Sequence, residues 1–401
     1  MSNNSEAWKD FLQATHNLSH PGVAKKIVPP YFLDQYPELL RDVVIEFAKR
    51  KEPYNGLKVF VNRVQDNTYN AKLLENPPGK QESLQEWGQH FFEGNCHGLV
   101  MNYLENYSNE LVEKVSYMVV PLLEQAGIPP AGLSMLFFMG NYGFTPFGVH
   151  HGTPGDDGFL FHLGPGKKTF YIWDTEVYNE LTDSAESYAN VEKILPHATA
   201  YELEPGDAIF FPPDLFHVAY TPEFSASLVL DYRKPPKLEF IKLLLEKVSF
   251  KDDKNQVFIQ PLNIKAQRTD LKQREQDVLF SDQMIDAWEQ VFCGLKSNGG
   301  FLKASLPNTT IRLDEHIYKL KVPFRIVTLE RDKELRLFAR GHSWSCKKAP
   351  AVYHFIDKLN DGGSFSMKEL IENFTSDFEL TECYEWAVRL IQTDILEKIE
   401  A

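Results

Sequence analysis

The sequence predicts an α+β chain whose core is a double-stranded β-helix, an eight-stranded jelly-roll barrel. Three observations predict it. From Ser134 to Arg233, short β-type runs are punctuated by Gly and Pro at intervals of about ten residues, the pattern of an antiparallel sandwich or barrel. Before that stretch, apolar residues recur at helical spacing, and after it helical segments lead into strands followed by helices. At 401 residues, with 43% hydrophobic and 13% aromatic residues, the chain has ample material for a core and for two or three domains.

Residues 1 to 133 read as a mainly helical region packing on the barrel. PPYFLDQYPELLRDVVIEFAKRKE and NELVEKVSYMVVPLLEQAGIPP are amphipathic, the second stopped by Gly127 and Pro129-Pro130, whereas GLKVFVNRVQ alternates and reads as a strand. His90 and His97 in this region read as packing or turn residues. The barrel occupies residues 134 to 233, with strands expected at 134 to 140, 147 to 151, 158 to 163, 168 to 173, 200 to 203, 207 to 211, 215 to 220 and 225 to 232. Residues 234 to 305 carry two helical runs, LEFIKLLLEKVSFK and FSDQMIDAWEQVFCGLKS, a linker or dimerisation segment. Residues 306 to 401 show two β runs in RIVTLERDKELRLFARGHSW, then three helices, with Ser366 as an N-cap. That order points to a winged-helix-like domain.

A net charge of −14 argues against general nucleic-acid binding, which needs a positive field to recruit phosphates. No apolar run approaches the roughly 18 residues of a membrane span, and MSNNSEAWKDFLQ lacks the regions of a signal peptide, so a cytoplasmic location is expected. The four cysteines, Cys96, Cys293, Cys346 and Cys383, have no metal-ligand spacing and read as reduced and structural.

The chemistry concentrates in the barrel. Non-haem iron that must bind a cosubstrate and dioxygen is commonly held by two histidines and one carboxylate on one face. Here two histidine-bearing strands lie 217 − 151 = 66 residues apart, with acids shortly after the first. In GDAIFFPPDLFH, Gly206-Asp207 make a turn, a strand follows, and Pro212-Pro213 return the chain so that His217 faces inward. His150 and His151 are adjacent on an extended segment, so their side chains point to opposite faces and one of them lines the barrel. Alternation does not decide which. Asp156 and Asp157, beyond the flexible GTPG, are the nearby acids.

Over approximately residues 30 to 235 the chain resembles the JmjC and cupin-like 2-oxoglutarate oxygenases. GDAIFFPPDLFH looks like that family's distal metal-histidine segment, and GFLFHLGPGKKTFYIW like its strand ending in Gly-x-Lys followed by an aromatic-rich strand. The resemblance implies Fe(II) and 2-oxoglutarate as cofactors. It puts the first metal histidine on His151, with His150 the alternate, and the second on His217. It puts the distal carboxylate of 2-oxoglutarate on Lys168, with Tyr142 and Thr145 as hydroxyl donors. Where the family has HxD or HxE, this chain has His151-Gly152-Thr153, which leaves three outcomes: ligation by Asp156 or Asp157, iron held by two histidines alone, or an inactive site. Asp156 is the nominal ligand, since ligation from Asp157 leaves less chain to re-enter the strand at Gly158.

A barrel followed by a helical segment and a winged-helix-like domain is similar to the bacterial ribosomal-oxygenase architecture, in which the helical segment is associated with dimerisation. The last domain looks like small peptide-binding domains, and it lacks a basic recognition helix, so DNA binding is not expected of it. The expected function is hydroxylation of an amino-acid side chain of a protein or peptide substrate. The alternatives are a 2-oxoglutarate-dependent halogenase or oxidase, and a non-catalytic cupin-like peptide-binding scaffold.

Overall fold

A computed structural model describes residues 2 to 51, 56 to 247, 282 to 306, 316 to 332 and 334 to 399. Its centre is two facing antiparallel sheets. The major sheet has eight strands in the order Gly22–Ala24, Ala208–Phe211, Asp156–Pro165, Ser225–Arg233, Leu133–Gly140, His97–Asn102, Leu57–Val61 and Val64–Gln65. The minor sheet runs Ser187–Tyr188, Val149–His150, Phe216–Thr221, Lys168–Trp173 and Thr199–Leu203, with Gly143–Phe144 also paired to Phe216–Thr221. All eight expected barrel strands fall on these elements. The run expected at 147 to 151 shortens to Val149–His150, because Gly148 at φ +77° closes a turn onto the Thr145 carbonyl and the Gly152 amide leaves to bond Pro213.

Alternation along the major strands divides two apolar layers. Met135, Phe137, Met139, Phe159, Phe161, Leu228 and Leu230 face the helices, while Leu160, Ile209, Phe211 and Val229 face the minor sheet and meet Phe170, Ile172 and Ala219 there. Both faces are buried, which is why these strands read as nearly continuous apolar runs. The helices Ser2–Ala14, Pro30–Arg50 and Asn109–Ala126 cover the outer side. Trp8, fully buried, packs edge-on against Phe159 and Phe161. On the far side of the minor sheet, Val149, Trp173, Phe216 and Val218 form a third cluster with Tyr178, Val191 and Ile194.

The N-terminal region is helical as expected but also lends strands to the major sheet, the hairpin in GLKVFVNRVQ among them. His97 is buried and stacked on Phe92 with ring centroids 4.4 Å apart, a packing role, whereas the exposed His90 meets Glu82 at 3.2 Å on the surface. Beyond the barrel come the helices Lys237–Leu245 and Asp282–Ser297. The end of the helical run expected from 238 lies outside the described residues. The two β runs anticipated near the C-terminus are a three-stranded meander, Val327–Glu330, Glu334–Ala339 and His342–Lys347, since Gly341 at φ +78° turns the chain back once more. Helices Pro350–Asn360, Met367–Phe374 and Leu380–Gln392 follow, the second capped by the Ser366 hydroxyl accepting from the Glu369 amide. All four cysteines are free, and no described helix is long and apolar enough to cross a membrane.

Phe159 links the helical layer to the sheet through Trp8, Phe11, Phe210 and Tyr232. Phe159→Ala should destabilise the chain by about 3–5 kcal/mol in chemical denaturation. A loss under about 1 kcal/mol would show that this layer does not fold as one unit with the sheet.

Candidate active site

Strand register brings two imidazoles together. His217 lies directly opposite His150 across the antiparallel pair, and opposite residues project to the same face, so their ring centroids are 4.4 Å apart. The turn before His217 is built to deliver it. The buried Asp207 carboxylate accepts from the Glu204 and Lys26 amides and the Lys25 amine, fixing the start of Ala208–Phe211, and Pro212-Pro213 then reverse the chain. Each histidine has its Nδ1 on a backbone carbonyl: Gly148 at 3.0 Å for His150, Leu215 at 2.9 Å for His217. A carbonyl only accepts, so Nδ1 carries the proton and Nε2 presents its lone pair. Burial first, and then the neighbouring histidines, hold both rings neutral, His150 down to about 4 and His217 well below its ordinary value. Phe170 stacks on His217, Phe211 tilts against it, and Phe147 meets His150 edge-on.

His151 was expected to be the inward histidine, and the structure reverses this. Val149 is buried in the cluster behind the minor sheet, so by alternation His150 faces the barrel, while His151, past the end of the strand, sits at the cavity's edge. His151 is exposed, with its ring edge-on to Phe216. The acids also differ from expectation. Asp157 faces away from the barrel and pairs with Lys234 at 2.5 Å. Asp156 does line the cavity, but its carboxylate is turned to Arg233, its register partner, at 3.9 Å. Among the described residues, no three His, Cys, Asp or Glu side chains gather closely enough to hold a metal ion.

A cavity of about 510 Å³ runs through the barrel between the sheets. At its inner end Lys168 is 2% exposed and donates to the Thr221 hydroxyl at 2.7 Å and to the Tyr142 hydroxyl at 3.4 Å. A buried ammonium among two hydroxyls and aromatic rings is a receptor for an anion. Tyr142, named above as a hydroxyl donor, lies beside Lys168. Thr145 lines the cavity, but its hydroxyl is engaged by the Ala219 carbonyl and amide, so it braces a strand. Thr221 takes the second hydroxyl position and was not anticipated, although 217, 219 and 221 share one strand face and the spacing alone points to it. The other end of the cavity is polar: Asp156, Asp231, Arg233 and Ser134 come from the inward face of the major sheet. Burial, then the charges of Asp156 and Glu105, push the Asp231 carboxyl up to about 7, with Arg233 opposing.

No family model matches the chain, and no curated protein matches it. Solved structures do. A structure of YcfD, a ribosomal oxygenase from Escherichia coli, in complex with cobalt and 2-oxoglutarate is 17% identical to this chain, with a TM-score of 0.53. Another, with cobalt and succinic acid, is 16% identical, with a TM-score of 0.52. Each match covers 98% of this chain and 98% of that one. At such identity the likeness is one of fold, and the expected α+β chain with a jelly-roll core is the fold observed.

Asp231 gives this end of the cavity a measurable signature. A raised acid keeps its proton to about pH 7 when folded and only to about 3.8 when unfolded, so its ionisation costs stability fully above pH 7 and not at all below about pH 3.8. Asp231→Asn should therefore stabilise the protein at about pH 8, by up to roughly 4 kcal/mol, and have little effect near pH 4. Equal effects at both pH values, or a loss at pH 8, would contradict the assignment.

Proposed function

We propose that the protein is an Fe(II)- and 2-oxoglutarate-dependent oxygenase that hydroxylates an amino-acid side chain of a protein or peptide. One observation carries the reading: two neutral imidazoles with free Nε2 lone pairs stand in the same cavity as a buried lysine backed by two hydroxyls. The donor set suits the groups it would hold. Imidazole is a good ligand for iron, and hydrogen bonds from Nδ1 to carbonyls orient metal-bound histidines and raise their basicity. Lys168, with Thr221 and Tyr142, would bind the distal carboxylate of 2-oxoglutarate. When bound, the iron supplies the coupling of dioxygen to 2-oxoglutarate: one oxygen atom goes to the substrate as hydroxyl, the other to succinate, and carbon dioxide leaves.

The chain's residues supply the setting for that chemistry. His150 and His217 hold the metal without first losing protons, since both are neutral. Phe170, Phe211, Leu160 and Val229 make the walls apolar and exclude water, which strengthens every charge interaction inside. Asp156, expected as the third ligand, lies 3.9 Å from the Arg233 guanidinium, and the centre proposed here rests on the two imidazoles. The same pairing favours a second reading, halogenation, because a site without a protein carboxylate has room for a halide; a chlorinated product in chloride buffer would distinguish it. For quaternary structure we propose a homodimer through the helix Asp282–Ser297, where Ile285, Trp288 and Phe292 are exposed at helical spacing and the two aromatic rings stack.

With iron, 2-oxoglutarate and dioxygen, the protein should release succinate; no turnover and no bound iron would leave the scaffold reading. His150→Ala and His217→Ala should each abolish iron binding with the fold intact by circular dichroism, while His151→Ala retains it. Loss of iron binding in the His151 variant alone would place the metal elsewhere. Lys168→Ala should raise the 2-oxoglutarate requirement at least about tenfold with iron affinity unchanged, and an unchanged requirement would remove that assignment.

A further inference from the structure

At the closed end of the barrel sits a third buried histidine that the reaction does not call for. His162 lies on the strand Asp156–Pro165, fully buried. Its Nε2 is 2.7 Å from the Gly166 carbonyl oxygen, and its Nδ1 is 3.3 Å from the hydroxyl of Ser227, its register partner on the next strand. The Gly166 carbonyl can only accept, so Nε2 carries the proton and Nδ1 accepts from Ser227; one neutral tautomer satisfies every group. The pairing of the two strands shifts register between Ala226 and Ser227, leaving Leu163 as the extra residue of a bulge. Bulges of this kind re-aim a side chain beside a site. The backbone of His162 is fixed as well, its amide donating to Asp207 and its carbonyl accepting from Gly206.

Gly166 stands two residues before Lys168 in the turn that enters Lys168–Trp173. Its amide donates to the Phe224 carbonyl, and a Cβ at Gly166 would lie 2.9 Å from that oxygen, so the turn is pressed onto the loop that follows Thr221. Thr221 is in turn the 2.7 Å partner of the Lys168 amine. Imidazole, turn, lysine and threonine form one connected chain.

We propose that His162 is a positioning residue for the dicarboxylate cosubstrate: as a neutral imidazole it clamps the Gly166 carbonyl and so sets the Lys168 amine against Thr221. The inference rests on the 2-oxoglutarate reading given above. Neutrality matters because a second cation beside Lys168 would repel it in a space that admits one. Burial and the Lys168 charge hold His162 down to about 3, with the Gly166 bond and Asp207 opposing. An aliphatic side chain would leave the Gly166 carbonyl and the Ser227 hydroxyl buried without partners, whereas a carboxamide can donate to one and accept from the other.

The test is anaerobic calorimetry of 2-oxoglutarate binding to the iron-loaded full chain. His162→Leu should weaken binding about tenfold while iron affinity, measured without 2-oxoglutarate, is unchanged, and His162→Gln should stay within about threefold of the parent. Unchanged affinity in His162→Leu, or a loss in His162→Gln as large as in His162→Leu, overturns the inference. If His162→Leu fails to fold, the parent protein still decides through imidazole nitrogen NMR. The inference expects an Nε2–H tautomer that does not titrate between about pH 8 and about pH 5, and titration in that range or an Nδ1–H tautomer overturns it. A parent chain that binds iron but no 2-oxoglutarate refutes the oxygenase reading, and this inference with it.

Discussion

The site depends on one strand register. His217 stands opposite His150, and Phe216–Thr221 is paired on its other edge with Lys168–Trp173, so the imidazoles and the lysine share one inward face. Slipping this strand by one residue would send His217 to the outer cluster and bring Val218 into the cavity. The register is held from outside the cavity. Val149, Trp173, Phe216 and Val218 are locked against Tyr178, Val191 and Ile194, and those apolar contacts fix the parity of the minor-sheet residues that face inward, His150, His217 and Lys168 among them. The hydrophobic effect thus supplies the geometry, and the polar groups occupy positions it has set.

The two ends of the cavity differ in charge. At the Lys168 end the single ammonium is partnered by hydroxyls and flanked by neutral His162, an arrangement that favours a bound anion. At the opposite end burial first, and then the charges of Asp156 and Glu105, push the Asp231 carboxyl up to about 7. The imidazole pair lies between, neutral because it is buried. Perturbed groups of this kind collect where a protein binds or converts something, since an uncompensated buried charge is otherwise costly.

Much of this was legible in the sequence. The Gly and Pro punctuation placed all eight barrel strands, and the GDAIFFPPDLFH pattern placed His217, because turn chemistry and period-two alternation are local properties. The choice between His150 and His151 was not local: it turns on which side of the minor sheet buries Val149, and that is decided by helices tens of residues away. Asp156 and Asp157 were legible as acids near the site but not as partners of Arg233 and Lys234, which reach them across the sheet from Ser225–Arg233 and the residue after it. Thr221 could have been found by counting two residues at a time from His217. His162 could not, since its role depends on a bulge and on the Gly166 carbonyl it meets.

The most direct test is a crystal structure of the protein loaded anaerobically with iron and 2-oxoglutarate. The account predicts iron bound by Nε2 of His150 and of His217, with the distal carboxylate on Lys168 and Thr221. Iron on His151, or 2-oxoglutarate bound away from Lys168, would contradict it.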